Sequence, residues 1–120
     1  MLELTFFDTT STPKIISVSE HCYERLAEIG FSKKVDYKNN DLTIEGESYS
    51  INSVELTEEN RKTLLALIEG ERQEELEKIF RQIDENPTIK EIRENLFYVK
   101  ELTEIYKALK AEGNIYFSYE

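Results

Sequence analysis

The chain reads as an α+β domain: a small, mostly antiparallel sheet with strands at both ends of the sequence, packed against about four helices. Three observations predict this. Residues 2–6 and 114–119 alternate apolar and polar side chains with the period of two of a half-buried strand. Between residues 57 and 112 the apolar residues recur instead at spacings of three and four, the mark of amphipathic helices. No strand–helix alternation and no internal repeat runs through the chain, which argues against a parallel α/β sheet.

The elements follow in order. Leu2, Leu4 and Phe6 alternate with Glu3 and Thr5 as a first strand. Residues 8–13, closed by Pro13, are a polar turn or loop. Ile15, Ile16 and Val18 add a short extended piece. Ser17, with Glu20 three residues on, matches a capping box, and Ser19 is the alternative N-cap of a first helix. Val18, Cys22, Leu26 and Ile29 share one helical face, and Gly30 is its C′ stop. Val35 and Tyr37, then Leu42 and Ile44, then Tyr49 and Ile51 alternate with polar neighbours. These read as two hairpins, one turning at Asn39-Asn40-Asp41 and one near Gly46.

Thr57 caps a second helix bearing Leu64, Leu65, Leu67 and Ile68, which is expected to end at Gly70. Leu76, Ile79, Phe80 and Ile83 outline a third, ended by Asn86-Pro87 because the residue before proline avoids the helical region. Thr88 and Glu91 form a capping box for a long helix with Ile92, Leu96, Val99, Leu102, Tyr106 and Leu109 on one face, stopped at Gly113. The last two stripes are expected in the core. Tyr37, Tyr49, Tyr98, Tyr116 and Tyr119 are candidates for partial exposure, although strands commonly half-bury tyrosines.

A chain of 120 residues fits one domain over residues 1–120, and 39% hydrophobic residues are enough for a core. Two prolines and four glycines leave no flexible linker. The single Cys22 permits no internal disulfide and fits a reducing compartment. Residues 1–8 lack the positive start and apolar run of a signal peptide, and no segment has the length of a membrane span. A cytoplasmic location is expected.

Catalytic motifs are not found. His21 is the only histidine and adjoins Cys22, but neighbours on a helix diverge by roughly 100° and do not form a nucleophile–base pair. One His and one Cys make no zinc cluster, and Asp36, Asn39, Asn40 and Asp41 depart from a calcium-loop pattern, with Lys38 at a ligand spacing. The adjacent acids Glu58 and Glu59, Glu74 and Glu75, and Asp84 and Glu85 read as helix-end or solvated-face residues. No glycine-rich phosphate loop, nucleophile elbow or basic patch is present. The expectation is no catalytic residue, no metal and no cofactor.

Charge placement is more informative. The net charge is −10, which disfavours nucleic acid and anionic membranes as direct partners. Residues 36–59 carry seven acids against the single Lys38, a net of −6 in one fifth of the chain. Asp41, Glu45, Glu47, Glu55, Glu58 and Glu59 are therefore the candidate partner-binding residues, offering an acidic platform to a basic protein. Solubility alone is the plainer explanation of the same charges, and the long helix over residues 88–112 is a rival binding surface.

The opening residues 2–8, the run Ile16-Ser17-Val18-Ser19-Glu20-His21 leading into the first helix, and the acidic middle give the chain a plan. That plan resembles the small acidic immunity proteins of bacterial toxin systems, including contact-dependent growth inhibition. The resemblance spans the chain and implies a class: a cytoplasmic single domain that neutralises a cognate toxin, such as a nuclease, by binding it. Two other classes fit the residues. One is a phage-derived or regulatory acidic inhibitor that mimics nucleic acid, and the other a self-associating assembly protein.

Overall fold

The computed structural model describes residues 2–8, 13–31, 33–44 and 46–119. Five strands and three helices occur among them, in the order β1 (Leu2–Asp8), β2 (Lys14–Val18), α1 (Glu20–Glu28), β3 (Lys38–Ile44), β4 (Glu47–Glu55), α2 (Glu58–Ile83), α3 (Ile89–Lys110) and β5 (Asn114–Tyr119). The sheet has the order β2-β1-β5-β4-β3, with every neighbouring pair antiparallel. The two terminal strands join one sheet, as the alternation at both chain ends predicts, and they pair with each other near its middle. The expected polar loop falls largely on residues 9–12, outside the described residues.

Register explains which sheet face is covered. Leu4 pairs with Ile16 and Tyr119, Phe6 with Phe117, and Phe117 with Val54, so these side chains share one face. They form a single core with Cys22 and Leu26 of α1, Leu64 and Ile68 of α2, and Leu102, Ile105 and Leu109 of α3. Phe31 closes that core from the connection after α1, edge-on to Phe117 at 5.5 Å between ring centroids. On the opposite sheet face Ile15 is exposed and Thr5 half-exposed, whereas Phe7 and Ser118 are buried.

The helix ends obey their capping chemistry. Ser19, the alternative cap, is the N-cap of α1, accepting from the Cys22 amide, whereas Ser17 lies within β2. Gly30 is left-handed at φ +79°, and the Gly30 and Phe31 amides donate to the Ala27 and Leu26 carbonyls. This is a Schellman stop, as its sequence position suggests. Thr57 and Thr88 cap α2 and α3 through the Asn60 and Glu91 amides. The Arg61 guanidinium donates to the carbonyls of Leu109, Ala111 and Asn114, tying the start of α2 to the C-terminal end of α3 and to β5.

Three expectations are corrected. First, there are three helices among the described residues rather than about four. Gly70 lies inside α2, which runs 26 residues without a break, because its buried positions Leu64, Ile68, Glu71, Glu75 and Ile79 keep one stripe straight through the glycine. Second, Asn39-Asn40-Asp41 is not a turn but the first half of β3, so β3 and β4 form one hairpin whose connection contains Gly46 at φ +82°. The Asn40 amide nitrogen donates to the Lys38 and Ser53 carbonyls and to Ser53 Oγ, so the turn-forming side chain serves the ladder instead. Third, Phe80, Ile83 and Leu96 are exposed at 66%, 54% and 48%, not core, and Tyr98 is wholly buried. The molecule measures 55 × 25 × 22 Å, with α2 and α3 packed side by side.

Candidate protein-binding surfaces

The acidic segment becomes the β3–β4 hairpin and the first turn of α2. Among the described residues β4 pairs with β5 at Val54 and Glu55, Ser118 Oγ reaches the Asn52 carbonyl, and Leu42 and Ser53 are buried, so it is the tip-side half of the hairpin that stands out from the sheet as a two-stranded arm. Residues 46–50 are all exposed, and among the described residues β3 is the last strand of the sheet, with a free edge. A free edge presents unpaired amides and carbonyls to an incoming chain.

Asp41, Glu47, Glu55, Glu58 and Glu59 are exposed, and none forms an ion pair among the described residues. Glu45 lies outside the described residues. The structure divides the rest. Glu47 and Glu55 share one face of β4, but eight steps of strand put them about 26 Å apart. Asp41, opposite Ser50, is on the other face. Glu55 meets Asp36, Lys38, Asn40, Thr57 and Asn60 around a depression of about 140 Å³, and Glu58 and Glu59 follow directly at the helix start. The Glu47 carboxylate accepts from the Tyr49 hydroxyl at 2.6 Å, which fixes it near the hairpin tip. The acids therefore form two groups, one at the tip of the arm and one at its base, rather than one platform.

A second polar feature escaped the sequence reading. Glu71 is buried between the helices, where Arg25 grips both its carboxylate oxygens at 2.8 and 3.0 Å and the Tyr98 hydroxyl donates to it at 2.8 Å. Burial pushes the Glu71 pKa up, but the bonds from Arg25 and Tyr98 outweigh it and hold it below the usual carboxylate range. Burial, and then the bond to Glu71, push the Tyr98 hydroxyl well above its ordinary value.

Glu101 of α3 accepts from both the Ser19 amide and the Ser19 hydroxyl, at 2.6 and 2.8 Å. It fills the role that the third helical residue fills in a capping box, from another helix. The sequence signal was present. Glu71 and Glu75 continue the spacing of Leu64, Ile68 and Ile79, and Glu101 sits in register with Tyr98, Ile105 and Ala108.

Ser19, Glu101 and Tyr98 also line a cleft of about 550 Å³ with His21, Arg93, Glu94 and Phe97. The exposed His21 ring stands edge-on to Tyr98 at 4.9 Å, while Cys22 is fully buried. Burial, with Glu101 and Glu71 nearby, pushes the Cys22 thiol up to about 12, so it holds its proton at neutral pH. Among the described residues no cluster of three or more His, Cys, Asp or Glu side chains is placed to hold a metal ion, and no helix is long and apolar enough to cross a membrane.

The third feature is apolar. The far half of the α2–α3 pair exposes Phe80, Ile83, Ile89 and Leu96, with Leu76 and Ile92 half-exposed beside them. Phe80 is nine residues from Glu71, which at roughly 100° per residue is the opposite side of α2. Leu96 lies correspondingly far around α3 from Tyr98. Both stripes thus face away from α1 and the sheet. Compared with protein-family models, curated proteins and solved structures, the chain matches none.

Proposed function

We propose that the protein is a non-catalytic binding protein that captures a basic partner protein on the β3–β4 arm and the adjoining start of α2, as an immunity protein occupies its toxin. The observation that carries this reading is the projecting arm itself. A two-stranded hairpin standing clear of its sheet gains little from the core. This one nevertheless keeps, among the described residues, an open edge and exposed acids that form no ion pair. Unpaired acids retain their attraction for an approaching cation, and a net −6 over residues 36–59 steers a basic surface toward them. The open β3 edge then offers main-chain hydrogen bonds to a partner strand. The division of the acids between tip and base suits a partner that straddles the arm. A nuclease, whose phosphate-binding cleft is basic, has the complementary chemistry.

The test is affinity capture from source cells with the tagged chain and with a variant neutralised at Asp41, Glu45, Glu47, Glu55, Glu58 and Glu59. Partners specific to the wild type are identified and purified. The reading expects a basic protein held by the wild type, lost from the folded variant, and inhibited when the complex is reconstituted. A partner held equally by both proteins, or one that is acidic, contradicts it.

A further inference from the structure

We infer that the outer face of the α2–α3 pair joins two copies of this chain, α2 of one against α3 of the other, in a two-fold four-helix bundle. This surface is separate from the acidic arm and does not depend on the reading of that arm. The apolar stripe of Leu76, Phe80, Ile83, Ile89, Ile92 and Leu96 lies across two adjacent antiparallel helices. Such a layer is half of a four-helix bundle, and a like layer is what completes it.

Charge selects the second copy as the occupant. Residues 76–100 hold five acids and five bases and sum to zero, so the whole −10 of the chain lies elsewhere. A strongly basic or acidic partner finds no complement here. The charges that do edge the stripe are sorted by helix. At roughly 100° per residue, Glu77 and Asp84 follow Phe80 on the α2 edge, away from α3. Arg93 and Lys100 follow Leu96 on the α3 edge, away from α2. Asp84, Arg93 and Lys100 form no ion pair among the described residues, and Glu77 has only the exposed Arg81 at 3.8 Å.

A two-fold axis parallel to the helices sets α2 against the partner copy's α3. It brings the acidic edge of each copy against the basic edge of the other, twice. A patch that is self-complementary in this way is what an isologous dimer requires. The sheets, and with them the acidic arms, stay on the outer sides of the bundle, because both stripes face away from them.

The test is sedimentation equilibrium of the full chain. The wild type is expected to pass from 14.1 kDa to twice that mass as concentration rises. Phe80→Glu, at a position already exposed, is expected to raise the dissociation constant by roughly a hundredfold while circular dichroism stays unchanged. Ile15→Glu, also at an exposed position but on the sheet, should leave it unaltered. The paired changes Arg93→Glu with Lys100→Glu, and Glu77→Lys with Asp84→Lys, should each give monomers alone and a dimer when mixed. A wild type that stays monomeric, a dimer indifferent to Phe80→Glu, or charge variants that fail to restore each other overturns the inference.

Discussion

At the scale of single residues, a buried carboxylate carries the clearest expectations. Glu71 is held between α1, α2 and α3 by Arg25 and Tyr98. Removing it by Glu71→Ala leaves a guanidinium and a buried hydroxyl without their acceptor. That should cost about 2–3 kcal/mol in a urea titration, below the full penalty of a buried pair because Arg25 keeps 27% of its side chain in water. Its pH dependence has a definite sign. Because the folded-state pKa is lowered, the charged form contributes stability above the ordinary carboxylate pKa and loses it as pH falls through the folded value. The stability gap between wild type and Glu71→Gln should therefore shrink as pH falls from about 5 toward 2. A gap that widens on acidification contradicts the assignment. Cys22, fully buried and with its thiol raised to about 12, should react with a thiol reagent only after denaturant is added.

At the scale of elements, α2 gives two contrasting expectations. Gly70 sits in its interior with open space where a Cβ would go. Gly70→Ala should therefore stabilise the protein by about 0.5–1 kcal/mol, read as a higher denaturant midpoint. Phe80→Ala in dilute solution should change stability by less than about 1 kcal/mol, whereas Leu102→Ala should cost about 2–5 kcal/mol. The same elements show what the sequence could reveal. Period-two alternation located the terminal strands, and the Ser, Thr and Gly caps located most helix ends, because both signals are local. Gly70 misled because a glycine stops a helix only where the chain turns left-handed, and that depends on whether the buried stripe continues beyond it. Asn39-Asn40-Asp41 has a turn composition, but its side chains serve an edge strand. The acidic run was plain in the sequence. Its division between tip and base of the arm was not, because strand register decides which face each acid takes. The exposure of Phe80 and Leu96 was hidden for a related reason: helical periodicity marks an apolar face without saying what packs on it.

At the scale of the molecule, two unlike surfaces share one elongated body. The β3–β4 arm carries exposed acids that form no ion pair among the described residues, and the far end of α2 and α3 carries an apolar face with balanced charge. Their responses to salt separate them. Raised ionic strength screens the steering field of the arm, so capture of a basic partner should slow while an apolar contact persists. The most direct measurement is the association rate of the purified partner with the wild type and with the variant neutralised at Asp41, Glu45, Glu47, Glu55, Glu58 and Glu59, at low and high salt. The account predicts fast, steeply salt-dependent association for the wild type. For a folded variant it predicts slow, nearly salt-independent association, with the off-rate changed less than the on-rate. Equal rates and equal salt dependence for the two proteins would contradict it.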